Sequence, residues 1–144
     1  MQPCILVPFD FSPAAEAALR WAAELRRCIG GGSIHLIHVV SGLPPAGTVE
    51  ISPHFPPGQE DLNQVERALR EVADRFAPGA TVEAATGSHV GESLLAAAKS
   101  YRADLIAMGT HGRGVIKRLV LGSVADYMVC HAGCPVATLR ASLR

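Results

Sequence analysis

The chain has 144 residues, 49% of them hydrophobic, with 13 basic and 13 acidic side chains and a formal net charge of zero. That is the length of one domain with a core of its own, too apolar for a disordered chain. The charge balance argues against a broad basic field for nucleic acid or a membrane surface, and four cysteines are too few for a secreted disulfide scaffold.

The first apolar run, Cys4-Ile5-Leu6-Val7-Pro8-Phe9, is continuous, the pattern of a strand buried on both faces. Ser12-Pro13 reads as a helix start, with an N-cap hydroxyl and proline at the first helical position. Ala18, Trp21, Ala22, Leu25, Cys28 and Ile29 then recur at three- and four-residue spacing and are expected to face the core. Glu16, Arg20, Glu24 and Arg27 fall on another face at ion-pair spacing. Gly30-Gly31-Gly32 stops this helix, and Ile34 to Val40 forms a second buried strand.

Ser41 to Gly58 carries Pro44, Pro45, Pro53, Pro56 and Pro57 and shows no period, which predicts a long loop. A helix is expected from about Gln59 to Phe76, striped by Leu62, Val65, Leu69, Val72 and Phe76. Thr81 to Thr86 suits a strand, and Val90, Leu94, Leu95, Ala98 and Tyr101 mark a third helix. Asp104 to Met108 is another buried strand, running directly into Gly109-Thr110-His111-Gly112-Arg113-Gly114. A short helix follows from Gly122-Ser123 to about His131, and Cys134 to Leu139 is a last strand with Pro135 at its start. This β-α-β-α-β-α-β-α-β order predicts a single domain over residues 1–144, an open parallel sheet with helices on both faces. No apolar run reaches the roughly 20 residues that span a bilayer, and the N-terminus lacks a basic leader, so a cytoplasmic setting is expected.

The glycine-rich segment after the fourth strand carries the clearest chemical signal. Successive amides in such a turn make a concave anion site, and glycine lets a ligand come close to the main chain. Gly122-Ser123 opens a helix whose first N–H groups have no partners within it, a ready phosphate seat. Taken alone, a glycine-rich loop is more often a structural turn than a phosphate site; paired with Gly122-Ser123 the signal becomes specific, and the two elements suit the two ends of a polyphosphate.

Gly109-Thr-His-Gly112, nine residues, then Gly122-Ser123 resembles the G-x-x-G-x9-G-[S/T] motif of the universal stress protein family. The resemblance covers nearly the whole chain. Ile5-Leu6-Val7-Pro8-Phe9-Asp10-Phe11-Ser12 is similar to that family's opening strand and its acidic residue, and Leu36-Ile37-His38-Val39 to its second strand. Ala103 to Arg113 is similar to its fourth, and Cys134-Pro135-Val136 to the start of its last. The resemblance implies a Rossmann-like sheet in the order 3-2-1-4-5, whose winding reverses between the first and fourth strands, the expected ligand crevice. It implies ATP or a related adenine nucleotide there, with Mg2+ carried on the phosphates. Pro8, Asp10 and Met108 would border the nucleoside, and the Val39 main chain would meet adenine. Gly109 and Gly112 would lie along the ribose and phosphates, and Gly122, Ser123 and the Val124 amide would bind phosphate. His111 and Arg113 enter from their own place in the loop, His111 as a side chain that touches phosphate at most, since nothing there identifies a base for it to serve. Two departures stand beside the motif: Phe9, where many members carry a smaller residue and which bears on the base pocket, and His89, where proline is common.

Several residues keep two readings. Asp10 is either a ligand carboxylate or the acceptor of an Asx turn, and Arg113 is either a phosphate fork or a solvated loop side chain. His35 and His38, three apart on one strand, face opposite sides of the sheet and do not share a metal. Cys130-His131-x-x-Cys134 has ligand-type residues but no second cluster to complete a tetrahedral set. No G-x-x-x-x-G-K-[ST] sequence, site lysine or general base points to dedicated phosphoryl transfer, so hydrolysis is expected to be slow at most. The expected role is a nucleotide-dependent regulator in the stress response; the alternative is a nucleotide-free dimeric interaction module of the same fold. A receiver domain would need an acidic cluster after the first strand, which is missing. Family members commonly dimerise through the last strand, so Val136 to Leu139 is the expected homodimer contact.

Overall fold

The computed structural model describes residues 2–41, 58–111 and 121–141. Nine elements alternate along the chain: β1 (Cys4–Pro8), α1 (Pro13–Cys28), β2 (Ser33–Val40), α2 (Gln59–Phe76), β3 (Thr81–Thr86), α3 (Val90–Ser100), β4 (Leu105–Gly109), α4 (Ser123–His131) and β5 (Val136–Leu139). The strands form one parallel sheet in the order β3-β2-β1-β4-β5. Fold class and strand order are as the sequence led us to expect.

Leu6, Val7 and Ile106 are wholly buried because helices cover both faces of the sheet. Ile5, Val7, Ile34 and Leu36 pack with Leu19 and Ala22 of α1 and Leu69 and Ala73 of α2. Leu6, Ile37 and Ile106 pack on the other face with Leu94 of α3 and Ala125 and Met128 of α4. β1, β2 and β4 thus split their side chains between two cores, which is why their apolar runs are continuous.

Ser12 caps α1 by accepting the Ala15 N–H through its hydroxyl at 3.1 Å, with Pro13 next. The helix ends where Gly30, Gly31 and Gly32 all take positive φ, and a side chain at Gly32 would also meet the Pro3 carbonyl. The apolar stripe of α1 departs from the expected one. Ala14, Ala15, Ala18, Leu19 and Ala22 are buried, whereas Trp21 is 37% exposed, Ile29 48% exposed, and Cys28 also exposed. The helix turns its small residues to the sheet because it lies close on β4. A methyl group at Gly109 would sit 2.8 Å from Ala14 Cβ and 2.9 Å from the Ala15 nitrogen. Trp21 and Cys28 are left on the flank of that contact, and Ile29 lies beyond the last turn. Glu16 pairs with Arg20, and Glu24 with Arg27, along the outer face. Of the long loop expected from Ser41 to Gly58, residues 42–57 lie outside the described residues.

Candidate functional site

The sheet opens where β1 leaves its neighbours. The β1–β4 ladder registers only Ile5↔Leu105 and Leu6↔Ile106. On the other side, β1 follows β2 to Pro8↔Ile37, and the Phe9 N–H still reaches the Ile37 carbonyl at 2.7 Å. The chain then turns away. Asp10 Oδ1 accepts the Ser12 N–H at 3.0 Å, closing an Asx turn, and Phe11 adopts φ +62°. A bulky residue in the left-handed region is rare and costs about 1–3 kcal/mol, so this bend is imposed by its surroundings.

A cavity of about 560 Å³ occupies the opening, within the roughly 300–1,000 Å³ range of small-molecule pockets. Pro8 and Asp10 from the end of β1, Val39 from β2, and Met108, Gly109 and His111 from the end of β4 line it. Gly122, Ser123 and Val124 close it from the start of α4. Nine of the residues singled out in the sequence therefore meet around one space. Gly112 and Arg113 lie outside the described residues. Phe9 also touches the cavity, but its ring is only 4% exposed and belongs to the core with α1 and α2, edge-on to Phe11 at 5.1 Å. His89 sits at the N-cap of α3 and makes no side-chain capping bond.

The two ends of the cavity offer different chemistry. At one end, Ile37, Val39, Val90, Leu94 and Met108 supply apolar walls. Along a strand, alternate residues point their main-chain groups to the same neighbour. Ile37 points to β1, so Val39 does as well, but β1 has already turned off. Among the described residues, the Val39 N–H and C=O have no ladder partner on that side, although the residue is only 8% exposed. Unpaired main-chain groups at a buried position are uncommon and call for a partner.

At the other end, α4 begins on Gly122, in extended conformation and with no side-chain cap. The first bond of the helix is Asp126 N–H to the Gly122 carbonyl at 2.9 Å, so the amides of Ser123, Val124 and Ala125 find no acceptor within it. Thr110 fixes this terminus. Its carbonyl accepts the Gly122 N–H at 2.6 Å, and its own N–H donates to Leu139 at 2.8 Å. Aligned peptide dipoles add partial positive charge at this helix start. His111 Nδ1 lies 3.1 Å from the Thr110 hydroxyl.

Asp10 lies half-buried between these ends. One of its oxygens holds the Asx turn and the other makes no hydrogen bond among the described residues, so the two readings of Asp10 are compatible. Gly109 is glycine for a reason the motif did not reveal: φ there is not left-handed, and the missing side chain makes room for α1. Thr110, Val90, Leu94 and His38 also line the cavity; the sequence marks Thr110 only as a spacer in the motif, Val90 and Leu94 only as a helix stripe, and His38 only as a strand residue that shares no metal with His35. The i, i+4 spacing of Val90 and Leu94 was the one available signal, and it equally fits core packing. In the Cys130 to Cys134 segment, His131 stacks on Tyr127 and donates from Nδ1 to the Tyr127 carbonyl at 2.8 Å. Among the described residues no three His, Cys, Asp or Glu side chains gather as a metal site.

These features define a doubly wound α/β protein with a ligand-sized crevice at its switch point. Residues 3–140 match the model of the Universal stress protein family. A universal stress protein of Methanocaldococcus jannaschii is 29% identical over 143 residues, spanning 94% of this chain and 81% of that one. One from Mycobacterium tuberculosis is 33% identical over 148 residues, but the match spans 46% of that longer protein. Among solved structures, the universal stress protein UspA from Lactobacillus plantarum has a TM-score of 0.75 at 27% identity, covering 96% of this chain and 97% of its own. The fold is also shared with an Arabidopsis thaliana family protein with AMP bound, at TM-score 0.66 and 19% identity over 98% of this chain and 93% of that one. A universal stress protein in complex with cAMP has a TM-score of 0.69 at 18% identity, over 98% of both chains. The chain belongs to the universal stress protein family.

Proposed function

We propose that this protein binds ATP, or a closely related adenine nucleotide, in the switch-point cavity and acts as a nucleotide-dependent regulator in the stress response. The observation that carries the reading is the pairing, in one cavity, of an apolar end with a free main-chain donor and acceptor and a polar end made by an uncapped helix start. Adenine presents an acceptor and a donor side by side, at N1 and the exocyclic amine, which complements the Val39 N–H and C=O. Val90, Leu94 and Met108 would flank the ring. The second Asp10 oxygen would accept a ribose hydroxyl. The Ser123 hydroxyl and the amides of Ser123 and Val124 would take phosphate oxygens, with Gly112 and Arg113 alongside in this reading. Mg2+ would be carried on the phosphates, with Asp10 or Ser123 as its protein oxygen.

Phosphoryl transfer needs cations over the transferring group and a positioned nucleophile. The only lysines are Lys99 and Lys117, and the described lining includes neither. Hydrolysis in this reading is slow at most, and occupancy is the signal. A nucleotide shifts a conformational equilibrium only by its differential affinity for the two states; phosphate bound at Gly122 would act on the ties from Thr110 to β5.

The same reading makes the protein a homodimer in the cytoplasm. β5 is an edge strand with half-buried side chains, and exposed edges are normally paired or covered. A second copy along Val136–Leu139 would cover it. Pro135 and Leu139 accept from β4, so Ala137 between them also turns its main chain to β4, and the groups facing the open edge are those of Val136 and Thr138. Thr138→Pro, not Ala137→Pro, therefore removes an outward ladder donor and is expected to shift the sedimentation profile toward monomer; an unchanged profile rejects this interface. Among the described residues no helix is long and apolar enough to cross a membrane.

The direct test is to denature purified protein, identify any released nucleotide by chromatography and mass, and titrate the stripped protein with Mg-ATP. Saturable binding near one nucleotide per chain is the expected result. No release and no binding would favour the nucleotide-free interaction module.

A further inference from the structure

We propose that His38 is a positioning residue that keeps the Val39 main chain open to the base, and so sets base preference. In an uninterrupted parallel ladder the Phe9 carbonyl would accept the Val39 N–H, and the Phe11 N–H would reach the Val39 carbonyl. Neither bond forms. The Phe9 carbonyl instead lies 2.7 Å from His38 Nδ1. A carbonyl only accepts, so the imidazole carries its proton on Nδ1. The side chain of one residue thus supplies the bond that the amide of the next would otherwise make.

The surroundings hold this substitution in place. The Phe11 ring meets the imidazole at 5.4 Å and 62°, and Phe9 meets Phe11 in the same edge-on manner. Phe11 holds its left-handed φ in this arrangement, and its amide makes no bond to β2. His38, Phe9 and Phe11 therefore act together to stop the ladder one step early, at the level where the cavity begins. Elsewhere β2 is fully registered, with β3 paired through Val40↔Thr86. The gap at Val39 is local to the site.

This inference rests on the adenine-nucleotide reading for its consequence, but not for its mechanism. The mechanism is read without ligand, by amide hydrogen exchange on the free protein. The Val39 amide is expected to exchange fast in the wild type and to become at least about tenfold more protected in His38→Ala, where Phe9 recaptures it. His38→Gln, whose amide can still donate to Phe9, should stay near the wild type. Unchanged Val39 exchange in His38→Ala overturns the positioning role whether or not any nucleotide binds. The consequence is read with Mg-ATP, Mg-GTP and inorganic tripolyphosphate. His38→Ala should weaken ATP by about tenfold, compress the ATP-to-GTP ratio, and leave tripolyphosphate binding unchanged, with His38→Gln restoring most of the loss. Equal weakening of ATP and tripolyphosphate would mean a general structural role and would also overturn the proposal. A wild type that binds neither ATP nor tripolyphosphate refutes the nucleotide reading instead, and base preference with it.

Discussion

The two ends of the same sheet are built differently. At the N-terminal end every strand start is tied across. The Cys4 N–H donates to Asp104 Oδ2 at 2.8 Å, and the Asp104 N–H donates to the Cys4 carbonyl at 2.8 Å. Ser33 donates to Pro3 at 3.0 Å, and Ile106 to Pro135 at 3.0 Å. His35 and Thr81, opposite one another at this end, bond through their side chains; His35 also stacks on Tyr101, whose hydroxyl donates to Glu83. At the C-terminal end, β1 turns off early, Val39 faces an empty place in the ladder, and α4 starts uncapped. Hydrogen bonds not spent within the protein at one end are available to a ligand, while the other end supplies the rigidity that keeps them in place.

Substitutions at the two ends should therefore separate binding from stability. The largest effect is expected from Gly122→Glu, which sets bulk and negative charge at the helix start. It should lower nucleotide affinity by at least about a hundredfold while the circular dichroism spectrum stays native; a folded variant that binds normally refutes the phosphate seat. Gly109→Val lies at the junction of the two behaviours. Its side chain meets the Ala14 and Ala15 main chain, and it should cost about 2 kcal/mol in chemical denaturation. A neutral result would mean that α1 moves aside freely.

At the closed end, Asp104→Ala should cost about 1 kcal/mol through loss of the carboxylate bond to Cys4 and leave the Kd for Mg-ATP unchanged. A large change in that Kd would erase the contrast between the ends. The smallest effects are on pH dependence. The bond to Glu83 is the main reason the Tyr101 hydroxyl is pushed up to about 12. The unfolded chain loses that proton first, so stability should fall as pH rises from about 10 to about 12, and Tyr101→Phe should flatten this slope. His35 is shifted the other way, its proton affinity lowered mainly by burial. The unfolded state then takes up the proton more readily, and stability should decline slightly as pH falls through 6.5, a decline that His35→Gln removes.

The order of elements was legible because continuous apolar runs and helical stripes alternate without ambiguity, and the strand order came with the family resemblance. The cavity was legible where motif and geometry coincide, at Asp10, Val39 and Gly122 to Val124. Trp21, Cys28 and Ile29 were misread because periodicity gives the width of a stripe but not its centre. In α1 the centre is set by how closely Ala14 and Ala15 approach Gly109, a contact 94 or more residues apart in the chain. His38 escaped because its role exists only where a ladder stops, and no local pattern records that. Thr110 was hidden inside the motif as a spacer, although its main chain joins β4, β5 and α4.

The central claim is that one ligand uses both the open ladder position at Val39 and the helix start at Gly122. Amide resonances followed during a titration with Mg-ATP test it most directly. The Val39, Ser123 and Val124 amides should move together with a single Kd, while those of Cys4, Ser33 and Asp104 stay in place. Movement of the α4 amides without Val39, or changes concentrated at the closed end, would contradict it.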